Sequence, residues 1–119
     1  MDVLFWLTIG QGVLLTLIGV LYAQYPPKKI NPIYGYRTKR TMTNQTIWDY
    51  ANKIGSRMII WTGLICTAMG VIVYFIYQNV YAISFASTML VVGLILGLFF
   101  CEKDLNAHFD KNGNPKSKL

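Results

Sequence analysis

Three long stretches of this chain contain no charged residue: 3–23, 58–77 and 80–101. At about 1.5 Å per helical residue the first reaches roughly 32 Å, enough to cross a hydrocarbon core. Strands are far shorter than these runs, and an open sheet cannot cross lipid with unpaired backbone groups. The pattern predicts an all-α membrane protein with three transmembrane helices forming a single membrane domain over 1–119. Segment 24–57 is then a loop and 102–119 a tail. Composition agrees, since 13% of residues are charged and 54% hydrophobic, too few charges to cover a soluble domain. The first run does not read as a cleavable signal peptide. It lacks a basic n-region, it is too long, and Leu21-Tyr22-Ala23 is a poor cleavage site.

Orientation follows from where the basic residues lie. Seven of the eleven Lys/Arg fall between Lys28 and Arg57, and the other four between Lys103 and Lys118. An odd number of spans puts both groups on one side. The opposite side holds Met1, Asp2 and the Gln78-Asn79 turn. The positive-inside rule then places the N-terminus outside and the loop and C-terminus in the cytoplasm. Phe5, Trp6, Tyr74, Tyr77 and Tyr81 cluster at the outer ends, with Tyr22, Tyr25 and Trp61 toward the inner ends. This distribution accounts for the net charge of +6 without a nucleic-acid partner, and direct nucleic-acid binding is not expected.

Small residues recur every fourth position within the spans: Thr8, Gly12 and Thr16; Thr62, Cys66 and Gly70; Gly93, Gly97 and Cys101. Such rows let helix backbones approach closely. They pack the bundle internally or, at Gly93 and Gly97, offer a face to a second copy in a homodimer. Gln11, the one amide in the middle of a span, is expected to face the bundle and hydrogen-bond there. Cys66 and Cys101 have no companion ligands for a metal. His108 reads as a solvated tail residue, with no second histidine or paired carboxylate beside it. No cofactor and no enzymatic activity are expected.

The loop is the informative part. Pro26-Pro27 ends the first helix, and Asn31-Pro32 with Gly35 makes turns. Residues 45–57 follow as an amphipathic helix, with Ile47, Trp48, Ala51, Ile54, Gly55 and Met58 on one face. It is predicted to lie on the cytoplasmic membrane surface with Trp48 in the headgroup boundary, and to kink at Gly55-Ser56 into the second span. Asp49 and Lys53 are spaced for an ion pair. In the turn Arg37-Thr38-Lys39-Arg40-Thr41, charge alone suffices to fix topology and meet anionic lipid. Two guanidiniums, two hydroxyls and the Gly35 backbone also suit a phosphate headgroup or an acidic partner face.

This loop resembles the signature of the SdpI family of membrane proteins. The matching residues are Asn31, Pro32, Gly35, Arg37, Thr38, Arg40, Thr41 and Met42, then Trp48, Ala51, Asn52, Gly55 and Arg57. The resemblance implies a bacterial inner-membrane protein. The best-known member type is an immunity protein that protects a cell from a secreted hydrophobic peptide toxin. It also signals by holding a cytoplasmic repressor at the membrane. Larger members carry an extra hydrophobic module before the signature, which is not found here. The expected contact residues for peptide, membrane lipid or partner are Asn31, Gly35, Arg37, Thr38, Arg40, Thr41, Trp48, Asn52, Gly55 and Arg57. The alternative is a small structural or accessory subunit of a larger membrane complex. The outer side offers no ectodomain, so an extracellular ligand has to enter the bilayer and meet the spans.

Overall fold

The computed structural model describes residues 2–116, which form three helices in the order α1 (Val3–Gln24), α2 (Gln45–Tyr77) and α3 (Val80–His108). Each helix is long and apolar enough to cross a membrane. The long axis of the molecule is 50 Å, longer than a hydrocarbon core of ~30 Å, so the bundle has ends to spare.

Local chemistry sets the boundaries. The Asp2 carboxylate caps α1 by accepting from Phe5 N at 2.9 Å. Pro26 then stops it, because the residue before a proline is pushed away from helical geometry. Asn44 caps α2 through Ile47 N at 3.1 Å. Gln78 turns left-handed at φ 50°, and Asn79 caps α3 through Tyr81 N at 2.9 Å. A turn this short makes α2 and α3 antiparallel neighbours.

The most intimate helix pair is α1 on α2. A Cβ on Gly12 would stand 2.5 Å from Thr67 N, and one on Gly63 2.6 Å from Thr16 N. Gly19 also lies close to Ile60 N, at 2.9 Å by the same measure. The contact is therefore reciprocal, with a glycine of each helix receiving a threonine of the other. Thr8, Gly12 and Thr16 belong to the expected row on α1. On α2, however, Gly63 and Thr67 carry the contact with Gly70, while Thr62 turns toward Gly93 of α3. Gln11 behaves as its position suggested, since its Oε1 accepts from Ser87 Oγ of α3 at 2.9 Å.

Two features differ from the sequence expectation. No separate interfacial helix is present among the described residues: 45–57 are the first turns of α2, which runs unbroken through Gly55 and Ser56. Its apolar face is covered by protein. Ile47 and Ala51 are fully buried in a cluster with Tyr36, Cys101, Leu105 and Phe109, flanked by Tyr50, Ile54 and Met58. Trp48 is likewise fully buried, its indole donating to Pro27 O at 2.7 Å, and is not a headgroup anchor. The second difference is that α3 continues seven residues past Cys101. Its extension and the segment after it fold back on the loop. Phe109 is buried, Gly113 turns the chain at φ 83°, and Asn44 Nδ2 donates to Gly113 O at 2.7 Å. His108 is half-buried, its Nδ1 3.1 Å from Asp104 and from the Tyr50 hydroxyl.

Candidate functional site

Asn52 is the hub of the polar end. It sits one turn above Trp48 on α2 and is almost fully buried, so its amide must be satisfied internally. Its Nδ2 donates to Trp48 O at 2.8 Å. Its Oδ1 accepts from Tyr36 N at 2.8 Å and from the Tyr22 hydroxyl at the end of α1. One side chain thus joins α1, the loop and α2. Gly35 is required beside it. It adopts φ 115°, and a Cβ there would lie 2.7 Å from both Asn52 Oδ1 and Pro27 Cγ. Gly55 serves the same packing, because its missing side chain makes room for the Tyr36 ring.

The expected turn residues also bind mainly to their own chain. Asn31 Oδ1 accepts from Ile33 N at 3.0 Å and Tyr34 N at 2.7 Å, forming the Asx turn its sequence signalled. Thr41 is fully buried, accepting from Thr38 N at 2.8 Å and donating to Tyr36 O at 2.8 Å. Thr38 Oγ1 accepts in return from Thr41 N at 3.2 Å. Arg37 donates to Pro32 O. Arg40 spans to α3, with Nη2 2.9 Å from Glu102 Oε2 and Nη1 2.6 Å from Asn106 Oδ1. The Tyr36 hydroxyl completes this link by donating to Glu102 Oε1 at 2.5 Å. Burial, and then the Glu102 carboxylate, push the Tyr36 phenol far above its ordinary pKa.

Asp49 and Lys53 do not form the expected ion pair. Asp49 accepts from Gln45 Nε2 at 2.7 Å instead, and the ion pairs among the described residues are Arg40–Glu102 and His108–Asp104. Arg57 is exposed and belongs to neither pair.

The spans contribute a second feature. A groove of about 510 Å³ lies between α2 and α3, lined only by those two helices, with Trp61, Ile65, Met89, Val92, Leu96 and Phe100 among its walls. Gly93 and Gly97 line it too. They face α2 of their own chain: a Cβ on Gly93 would lie 2.9 Å from Thr62 Cγ2, and one on Gly97 2.5 Å from Met58. Arg57 and Asp104 line the groove at its polar end. Nothing in the sequence announced this cavity, because it depends on how α3 leans against α2. Tyr22, Tyr36, Glu102 and Asn106 were likewise missed. They are isolated polar residues whose meaning depends on partners thirty or more positions away.

Residues 28–101 match the SdpI/YfhL protein family, a span covering the Asn52 hub, α2 and the apolar part of α3. This chain belongs to that family. It is also similar to YfhL of Bacillus subtilis (strain 168), a protein named as uncharacterized. Identity is 30% over 109 residues, covering 92% of this chain and 94% of the relative. No solved structure matches it. The family's matched segment contains all the expected contact residues from Asn31 to Arg57, together with Gly93 and Gly97.

Proposed function

We propose that this SdpI-family membrane protein acts as an immunity-type protein, capturing a membrane-active peptide within the bilayer and relaying or neutralising it. The observation that carries this reading is the groove between α2 and α3. It is apolar along its length, it has glycines at its floor, and it ends in one guanidinium and one carboxylate. A hydrophobic peptide or lipid entering from the bilayer meets walls of matching chemistry, with polar groups only where its own polar end would lie. The orientation that goes with this reading puts the N-terminus outside a bacterial inner membrane. The loop and the segment after α3 are then cytoplasmic, as the basic residues favour. The folded loop, braced on Asn52 and Glu102, is then a shaped surface for a cytoplasmic repressor.

The test fills the groove without touching the loop. Cells producing equal amounts of the parent protein or of Gly93→Leu are challenged with a panel of secreted hydrophobic peptide toxins. Protection by the parent and its loss in Gly93→Leu, with insertion intact, supports capture in the groove. Equal survival of the two, or no protection by the parent against any peptide, overturns it.

A second reading has its own support. Only 6% of the apolar window of α3 is buried, so this helix is largely uncovered by its own chain. An accessory subunit would cover that face with helices of a larger complex. Extraction of native membranes with mild detergent separates the two, because the accessory reading requires a stoichiometric second membrane subunit.

A further inference from the structure

Between the end of α1 and the first turns of α2 lies a second cavity, of about 540 Å³, which shares only Arg57 with the α2/α3 groove. The end of α1 and the following turn supply Ala23, Pro26, Pro27 and Lys28. Helix α2 supplies Asp49, Asn52, Lys53, Ser56 and Arg57. Its volume falls within the range of about 300–1,000 Å³ common for small-molecule sites. Three cations and one carboxylate surround it, and Asp49 already accepts from Gln45. Lys28, Lys53 and Arg57 belong to neither ion pair among the described residues.

This arrangement separates the basic residues of the polar end into two kinds. Arg37 and Arg40 are held by Pro32, Glu102 and Asn106 and brace the fold. Lys28, Lys53 and Arg57 instead line an open cavity. The floor is polar as well as charged. Asn52 carries two amide hydrogens, of which Trp48 O takes one. Ser56, also buried, commits its hydroxyl hydrogen to Lys53 O at 2.9 Å, so the donors left to an anion are the second Asn52 amide hydrogen and the three cations.

We propose that this cavity binds the phosphate headgroup of an anionic phospholipid. The position selects a lipid over a free anion. The cavity lies where the apolar run of α1 gives way to Pro26 and Lys28, and where α2 enters its apolar run just after Arg57. That is the level at which headgroups meet a spanning helix, and Arg57 lines both this cavity and the apolar groove. Clustered Lys/Arg at the foot of a span attract anionic headgroups, each contributing about 1 kcal/mol near the surface. The site goes beyond the proposed capture of a peptide, and it uses a different cavity.

The experiment uses the full chain in nanodiscs of phosphatidylcholine with a minor share of phosphatidylglycerol. Phosphatidylglycerol retained on the protein is read by native mass spectrometry. Lys28→Gln with Lys53→Gln leaves Arg57 and the groove untouched, and is expected to lower retention roughly thirtyfold. Asp49→Asn removes the opposing carboxylate and is expected to raise retention. Lys39→Gln with Lys111→Gln removes the same charge elsewhere and is expected to change little. Equal retention in parent and Lys28/Lys53 variant overturns the site, as does an equal loss in the Lys39/Lys111 control. Displacement of the lipid by millimolar inorganic phosphate overturns the lipid assignment in favour of a free anion. Peptide protection that persists in the Lys28/Lys53 variant distinguishes failure of this site from failure of the groove.

Discussion

Arg40 holds Glu102 at 2.9 Å across 62 positions of sequence, tying the basic loop to the extension of α3. The same guanidinium donates to Asn106 at 2.6 Å, and its side chain is mostly buried while Glu102 is more open. This fork makes the polar end one folded unit.

Arg40→Gln is accordingly expected to loosen α3 beyond Cys101, costing about 1–2 kcal/mol. Arg40→Lys keeps the charge but loses the planar fork, and should fall between the two. Hydrogen exchange at the amides of 105–116 reads the effect directly. Unchanged protection in Arg40→Gln would show that apolar packing of Leu105 and Phe109 alone holds the segment.

The Tyr36 phenol predicts a pH dependence. Its folded-state pKa is raised above the ordinary 10.0, chiefly by burial and then by Glu102. Stability from the neutral phenol is therefore fully present below pH 10 and is lost as pH rises above it. Thermal unfolding in micelles should show a flat response through neutral pH and a decline above about pH 10. In Tyr36→Phe that decline should shrink. An identical decline in both proteins would assign it to other groups.

The helix pair offers a paired test. Gly63→Ala places a methyl 2.6 Å from Thr16 N, a clash with backbone that neither helix can relieve without moving. A loss of roughly 1–3 kcal/mol is expected. At Gly10 nothing lies within 4 Å of the added methyl, so Gly10→Ala should be neutral or slightly stabilising. Matching thermal stabilities for the two variants would contradict the close approach of α1 to α2.

Orientation is tested by single cysteines in a background with Cys66 and Cys101 replaced by alanine. Cysteines at Gln78, Lys39 and Lys116 are labelled with an impermeant maleimide in intact cells and in inverted vesicles. The expected result is labelling at 78 from outside and at 39 and 116 from the cytoplasm. Labelling of 78 solely from the cytoplasm would reverse the orientation.

Much of the architecture was legible in the sequence because its causes are local or periodic. An uncharged run of about twenty residues has few folded options in lipid. Pro26 and the Gln78-Asn79 turn act on their own neighbours, so the end of α1 and the break between α2 and α3 could be read from them. Asn31 and Gly35 marked their turns for the same reason, and the signature through Arg57 identified the family. Gln11 could be placed because an amide inside a span has to find a partner.

The use of the amphipathic face was not legible. Periodicity showed that Ile47, Trp48, Ala51 and Ile54 share one side of a helix, and lipid headgroups were one cover for it. Only the tertiary structure puts Tyr36, Leu105 and Phe109 on that side, so α2 runs on unbroken and Trp48 hydrogen-bonds inside the protein. Charge is similar: position along the chain assigned all the loop's basic residues a role in topology, marked Arg37, Arg40 and Arg57 as contact residues and paired Lys53 with Asp49. The fold binds Arg40 to Glu102 and leaves Lys53 and Arg57 on a cavity. Sequence determined which segments cross the membrane, since hydrophobicity acts on each segment alone. Tertiary structure decided which polar groups are spent and which are free, since that depends on partners brought from far along the chain.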